Sequence, residues 1–136
     1  MALLQLTNAA ATASANALLA LIDVGTQGKI NIRTGAMPAT ADTAASGTIL
    51  CTLLFPDPAF PTAVNGVGTA NVIAQVASIA SGTAGHFEVT DSSNVVIFRG
   101  DVTASGGGGS MELVTTTITS PQPVQITSFT YTQPKS

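Results

Sequence analysis

The sequence predicts an all-β domain with one N-terminal α-helix, built as an antiparallel β-sandwich or a partly closed barrel of about seven strands. An Ala-rich run without Pro near the start is typical of a helix, whereas most of the remaining chain alternates polar and apolar residues between turns. Strands do not alternate with further helices, which disfavours a parallel α/β sheet. A single open sheet of seven strands with one helix would leave apolar faces exposed. Two sheets packed face to face would bury them.

We therefore expect a single domain over residues 1–136, with a helix over 7–24, the β region over 28–132 and a short tail over 133–136. Thr7 or Asn8 is a suitable N-cap for the helix, and Gly25 supplies the positive φ that ends one. The predicted apolar face of the helix consists of Leu18, Leu21 and Ile22, at spacings of three to four residues.

The strands are predicted from alternation and from the breaks between runs. Ser92, Ser93 and Asn94 separate two β-branched runs and give the strongest hairpin signal of the chain. The absence of Trp and the single Tyr suggest a core filled mainly by Val, Ile, Leu and Ala. The predicted strands span residues 29–33, 48–55, 69–78, 86–91, 95–102, 111–119 and 124–132.

Charged residues make up only 8% of the chain, against about 25% in an ordinary soluble domain. The chain contains 21 Ala, 20 Thr and 11 Ser instead. A free monomer relies on a charged surface to stay in solution, so we expect much of this surface to be covered by neighbours in an assembly.

Composition also excludes several kinds of partner. The net charge is −3, and the four basic residues (Lys29, Arg33, Arg99 and Lys135) are scattered, which disfavours nucleic-acid binding. Mean hydropathy is +0.42, yet the longest apolar run near the start, residues 17–22, is far short of the ~20 residues that span a membrane. No Lys or Arg precedes Lys29, so a secretion signal is not expected, and the single Cys51 suits a reducing cytoplasm.

His86 is the one residue that invites a catalytic hypothesis. A hydrolytic triad would join it to Ser92 or Ser93 and to Asp91 or Asp101. We favour instead a histidine at the start of a strand that reaches solvent or a subunit contact, because no nucleophile-elbow motif is present. The sequence therefore predicts no enzyme.

Metal binding is also weakly indicated, and no cofactor is predicted. Zinc requires about four ligands, and the chain offers one Cys and one His far apart. Asp91, Asn94 and Asp101 around the hairpin could supply oxygens to calcium, although the same residue types form ordinary turns.

Several loops and acidic residues complete the set of candidates. Residues 106–110 resemble a phosphate-binding loop but lack the Lys that follows in such loops, so we expect a flexible connection. Glu88 and Glu112 are expected to be solvated. The two most distinctive irregular stretches are predicted as interaction loops or simple crossovers; their candidate residues are Pro38 and Asp42 in residues 34–47, and Pro56, Asp57 and Pro58.

Three stretches resemble small structural proteins of tailed bacteriophages and prophages: residues 30–48 (INIRTGAMPATADTAASGT), 84–93 (AGHFEVTDSS) and 124–131 (VQITSFTY). The resemblance implies a head-decoration or minor capsid protein, which sits on the capsid surface of the virion. It implies a homo-oligomer, with a trimer favoured, that binds the major capsid protein and reinforces the shell. Such a protein is made in the host cytoplasm.

Three other functions remain open from the sequence. A head–tail connector or tail component would belong to the same structural class but would close rings. A carbohydrate-binding adhesin module would use exposed aromatic residues, of which this chain has few. A small hydrolase would depend on His86.

Overall fold

The computed structural model describes residues 4–135, and its main feature is a curled, mixed β-sheet that forms a half-barrel. Helix α1 (Asn8–Ala20) continues into a 3-10 turn (Leu21–Asp23). The strands within the described part are β1 (Lys29–Thr34), β2 (Ile49–Leu54), β3 (Val67–Thr69), β4 (Val76–Ala77), β5 (Gly82–Thr90), β6 (Val96–Ala104), β7 (Met111–Leu113), β8 (Thr117–Ile118), β9 (Pro123–Val124) and β10 (Ile126–Thr132).

The half-barrel has the strand order β2-β1-β5-β6-β7-β10-β3, with β8 added to β5, and a separate small sheet pairs β4 with β9. The all-β class with one N-terminal helix is confirmed, and of the two predicted architectures the structure has the partly closed barrel. One pair departs from the predicted antiparallel arrangement, because β6 and β7 run parallel. Residues 105–110 return the chain to the level of Val102 before β7 begins, which makes this tight parallel connection possible.

The helix begins at the predicted cap. The Thr7 side chain accepts a hydrogen bond from the Ala10 amide at 3.1 Å, and Gly25 has the positive φ of 87°. Its buried face differs from the prediction: Ile22 is fully buried, but Leu21 is half exposed. The remaining buried helical positions are small or spaced four residues apart, namely Ala11, Ala15 and Leu19.

Aromatic side chains fill the concave face of the sheet. All five phenylalanines of the chain meet there, and Phe129 lies at the centre, with its ring centroid 5.1 Å from that of Phe87 and 5.6 Å from that of Phe60. The prediction of a core filled mainly by Val, Ile, Leu and Ala is confirmed by number, with fourteen of the twenty buried core residues, but the phenylalanines occupy its centre. The other two rings around Phe129 belong to Phe55 and Phe98.

Two of the predicted strands are largely irregular. Within 69–78, only Thr69 and the pair Val76–Ala77 belong to strands, and Val72 is 92% exposed. The Asn71 side chain donates a hydrogen bond to the Pro58 carbonyl, and the Asn71 backbone amide donates one to the Ala59 carbonyl. This stretch therefore follows a loop rather than a strand. The predicted strand over 111–119 divides into β7 and β8.

Candidate functional site

A half-buried cluster of polar side chains around one buried carboxylate occupies the convex face of the sheet and is the most chemically distinctive feature of the described residues. In the register of β1, β5 and β6, Asn31 lies opposite Glu88, and Glu88 lies opposite Arg99. Residues opposite one another in antiparallel strands project on the same face, so these side chains meet on one side of the sheet. We call Asn31, Arg33, Glu88 and Arg99 the outer polar cluster.

Glu88 is the centre of this cluster and is only 4% exposed. Its Oε1 accepts hydrogen bonds from Asn31 Nδ2 at 3.1 Å and from Arg33 Nε at 3.0 Å, and its Oε2 accepts one from an Arg99 guanidinium nitrogen at 3.1 Å. Burial alone would raise the pKa of the Glu88 carboxyl, but these hydrogen bonds and the Arg33 charge hold that pKa below its usual value. The expectation that Glu88 is solvated is therefore wrong.

The β1–β2 loop (residues 35–48) covers the cluster and is held by it. One Arg99 guanidinium nitrogen donates to the carbonyls of Ala41 and Thr43, and Arg33 donates to that of Gly47 at 3.4 Å. The predicted interaction residues of this loop lie outside those contacts, with Pro38 half-buried and Asp42 exposed. The loop is thus anchored through its backbone while Asp42 remains on the surface.

His86 lies inside this arrangement, and the prediction that it reaches solvent at the start of a strand is wrong. It sits in the middle of β5, is 0% exposed and forms a 3.0 Å hydrogen bond between Nδ1 and the Gly35 carbonyl. Ser92 is six residues further along the chain, about 20 Å away at ~3.3 Å per residue. The structure places Asp101 opposite His86 in the β5–β6 register, but the serines of the hypothesised triad lie far from both.

The residues considered for calcium are also separated. Asp91 Oδ1 accepts hydrogen bonds from the backbone amides of Ser93 and Val95, as expected for an ordinary turn. Asn94 Oδ1 accepts a hydrogen bond from Lys29 Nζ. Asp101 pairs with His86, roughly 16 Å from the hairpin tip at ~3.3 Å per residue. Over residues 4–135, no group of three His, Cys, Asp or Glu side chains lies close enough to hold a metal ion.

The other predicted interaction loop, with Pro56, Asp57 and Pro58, joins the sheet to the end of the helix. Asp57 and Pro58 are exposed and Pro56 is half-buried. Just beyond them, the Ala59 amide donates to Asp23 Oδ1 at 3.1 Å. The loop is fixed at its base, and its tip is free at the surface.

The glycine-rich stretch 106–110 forms the parallel connection between β6 and β7. Gly106 and Gly108 have φ values of 88° and 81°, which explains the requirement for glycine. The Gly108 amide donates to Glu112 Oε2, so half-buried Glu112 stabilises the loop. The Ser110 amide donates to Asp101 Oδ1, and this bond lowers the pKa of the Asp101 carboxyl.

A slot in the half-barrel adjoins this connection. Strand β7 pairs with β6 only at Val102–Ala104 and with β10 only between Ile126 and Phe129, so it does not extend between residues 96–101 and 130–132. A cavity of about 380 Å³ lies at that position. We call it the slot; its lining consists of Phe87, Phe98, Arg99, Gly108, Gly109, Ser110, Phe129, Thr130, Tyr131 and Thr132.

Large apolar side chains are exposed at both ends of the sheet. At one end, the Ser92 hydroxyl donates to the Val24 carbonyl and the Phe55 amide donates to that of Gly28, which brings the hairpin tip, the turn after the helix and the end of β2 together. The hairpin-end surface consists of Leu21, Val24, Leu54 and Val95, each about half exposed. At the other end, the far-end surface consists of Val72, Ile79 and Val114.

No protein-family model, curated protein or solved structure matches this chain. Within the described residues, no helix combines the length and apolar character needed to cross a bilayer. The functional interpretation therefore depends on the side chains described above.

Sequence reasoning missed the outer polar cluster, although a signal for it was present. Asn31 and Arg33 alternate with buried Ile30 and Ile32, which places two hydrogen-bonding side chains on one face of β1. Their partner Glu88 is 55 residues from Arg33, and only the strand register shows that the two meet.

Proposed function

We propose that this chain is a structural subunit of a virion, a capsid decoration protein that self-associates and binds the major capsid protein. The observation that carries the proposal is the distribution of charged and apolar side chains over the surface. Extended contacts between subunits use surfaces rich in apolar side chains, and this chain exposes large apolar residues at both ends of its sheet.

Internal hydrogen bonds occupy most of the few charged groups. Nine of the eleven charged side chains bond to other residues of the described chain, as Asp23, Glu88 and Asp101 do. Asp42 and Asp57 remain, both in exposed loops. The surface that faces solvent is therefore even poorer in free charge than the composition suggests, which disfavours a dilute monomer.

The exposed apolar residues form two separate surfaces rather than one. Strand β5 contains nine residues and runs from the far end to the hairpin end, a span of about 27 Å at ~3.3 Å per residue. Val72 is 92% and Val95 is 59% exposed, one on each surface. Two distant surfaces suit a subunit that contacts a copy of itself through one and the shell through the other.

The stabilising mechanism is mass action. A protein that binds only the assembled shell lowers the free energy of that state by an amount that grows with its concentration relative to the dissociation constant. No chemistry is required of any residue in this role. The outer polar cluster then serves to hold the β1–β2 loop in one shape.

Light scattering with sedimentation tests self-association, and electron microscopy of intact particles tests position on the head. We expect an oligomer at micromolar concentration and regularly spaced density on the shell. Val72→Asp and Val95→Asp should each weaken one kind of contact, whereas Ala74→Asp and Ser93→Asp, at nearby exposed positions, add the same charge and serve as matched controls. A stable monomer absent from the particle would refute the proposal.

The same two surfaces also support a second candidate, a head–tail connector or tail component. When unlike surfaces of identical subunits bind each other head to tail, the assembly is a ring where the rotation between neighbours closes and a helical filament where it does not. Six- or twelve-fold rings at the head–tail junction would support this candidate. Trimers distributed over the shell would support decoration.

A further inference from the structure

The slot between β6 and β10 has the shape of a missing strand. Neighbouring strands lie about 4.8 Å apart, so the edges that flank a one-strand gap are about 10 Å apart. β7 fills this gap where Val102–Ala104 of β6 faces the stretch of β10 that reaches Phe129. It does not extend past that level towards the hairpin. Further along, residues 96–99 pair on one side with β5 and residues 131–132 pair on one side with β3, which leaves these facing edges to the slot, while Ser110 lies between Gly100 and Thr130.

Unpaired strand edges bind extended peptide segments through their backbone groups. The one backbone hydrogen bond between the slot's walls joins the Thr130 amide to the Ser110 carbonyl at 3.3 Å, at the end next to β7. Phe98 and Tyr131 lie side by side at the slot, with ring centroids 5.4 Å apart. The slot therefore offers hydrogen-bonding edges and an aromatic surface to an extended segment.

The lining also indicates the chemistry of the segment. Arg99 is the only charged side chain among the lining residues, and its guanidinium group is bound to Glu88 and to the β1–β2 loop. The Arg99 charge is thus already engaged by a carboxylate and two carbonyls, which favours an uncharged segment over an acidic or basic one. An uncharged segment with apolar side chains at alternate positions fits the slot best.

We propose that the slot binds residues 4–6 of a second copy of the chain. Leu4 is 82% and Leu6 is 39% exposed, and as alternate residues they project to the same side of an extended segment. The side chains of residues 4–6 are uncharged, so the segment suits a lining whose one charged group is already engaged by Glu88. Two leucines exposed beside a polar Gln5 present the pattern that an aromatic surface selects.

The position of the segment supports exchange between copies. The Leu6 amide donates to the Lys135 carbonyl at 2.7 Å, which places the segment three residues along the chain from Thr132, a residue that lines the slot. In a trimer each copy would give its segment to the next, and in a dimer the exchange would be mutual. This inference rests on the self-association in the proposed function and specifies its contact.

Matched charge substitutions test the proposal. Leu4→Asp places a charge against the aromatic lining and should raise the dissociation constant of the oligomer about tenfold to a hundredfold. Gln5→Asp adds the same charge on the opposite side of the segment and should change that constant less than about twofold. Equal effects of the two variants in sedimentation experiments would overturn the proposal.

Cross-linking locates the contact directly. Leu4→Cys protein is mixed with a larger, tagged Thr132→Cys protein under mild oxidation, while Cys51 is buried and stays unreactive. The mixed disulfide should form with Thr132→Cys and not with Thr127→Cys, an exposed position on the same strand outside the slot. Equal cross-linking of both would contradict the proposal.

The outcomes separate this inference from the proposed function. If the wild-type chain is an oligomer that Leu4→Asp leaves intact, the segment exchange is wrong and self-association through the end surfaces stands. If the wild-type chain stays monomeric at concentrations about 100-fold above the micromolar range in which we expect an oligomer, both proposals fail.

Discussion

The two halves of the sheet are built differently. In the long-strand half, β2, β1, β5 and β6 pair over five or six residues at each interface. In the short-strand half, β7, β10 and β3 pair over three residues at a time, and we include in this half β8 and the β4–β9 sheet, which pair over only two. The long-strand half is covered on both faces, by the phenylalanine core within and by the outer polar cluster and its loop outside, whereas the short-strand half retains the slot and two smaller cavities.

This difference suggests a division of roles. A region with long strand pairing and a buried core resists local opening, whereas short strands with few pairings open at lower free energy. Surfaces that accept a partner are drawn from the second kind. The long-strand half is then the scaffold, and the short-strand half is where a second chain completes the sheet.

The largest expected effect is loss of the carboxylate that holds the scaffold's convex face together. Glu88→Gln leaves the buried guanidinium groups of Arg33 and Arg99 without a counter-charge, and we expect a loss of about 3–5 kcal/mol in the free energy of unfolding, measured with urea. Glu112→Gln is the matched control in the short-strand half. It keeps an acceptor oxygen for the Gly108 amide and should cost less than about 1 kcal/mol.

Equal losses for these two substitutions would show that the outer polar cluster does not distinguish the halves. A small loss for Glu88→Gln alone would mean that the β1–β2 loop is held by its own turns rather than by the arginines beneath it.

The acid dependence of stability reports on the same carboxylate. The pKa of Glu88 is lower in the folded chain than in the unfolded chain. The contribution of Glu88 to the free energy of unfolding is therefore complete above pH ~4.3, the pKa in the unfolded chain, and is lost as the pH falls from there through the pKa in the folded chain. We expect the urea concentration at the unfolding midpoint to fall as the pH is lowered below 4. The fall should be less steep in Glu88→Gln. Asp101, whose pKa is lowered by the Ser110 amide, has the same sign and should leave a residual slope.

The loop over the scaffold offers a smaller, paired test. Gly35 and Gly47 both have positive φ, 81° and 84°, but a Cβ at Gly47 would lie 2.3 Å from the Thr34 carbonyl oxygen, whereas one at Gly35 would meet nothing within 4 Å. We expect Gly35→Ala to cost about 1 kcal/mol and Gly47→Ala about 3 kcal/mol in thermal or urea unfolding. Equal costs would indicate that the loop end near Thr34 gives way easily.

The sequence was informative where strands are long. The alternation around Ile30 and Ile32 predicted β1 to within one residue, and the Ser92–Asn94 signal predicted the hairpin, because a two-residue period and turn chemistry are local properties. The same reasoning failed for residues 69–78. There the alternation is real, but contacts of Asn71 with the distant Pro58 loop determine the conformation.

The candidate sites were harder to predict because they depend on contacts between distant residues. Whether Glu88 faces solvent or two arginines is decided by which residues lie opposite it in β1 and β6, and no local pattern contains that register. The slot is an even clearer case. It exists because β7 is much shorter than β6 and β10, which the predicted strand over residues 111–119 did not indicate.

The smallest prediction compares packing in the two halves with one methyl group. Ile32 is fully buried beside Phe87 and Cys51 in the long-strand half, and Ile118 is 2% exposed but borders a cavity of about 200 Å³ in the short-strand half. Truncation costs more where the surroundings are unable to close over the gap, so Ile32→Val should lose about 1–1.5 kcal/mol and Ile118→Val about 0.5 kcal/mol in urea unfolding. A larger loss of unfolding free energy at Ile118 would mean that the short-strand half is as tightly packed as the scaffold. The slot would then be a rigid groove rather than part of a region that adapts to an incoming strand.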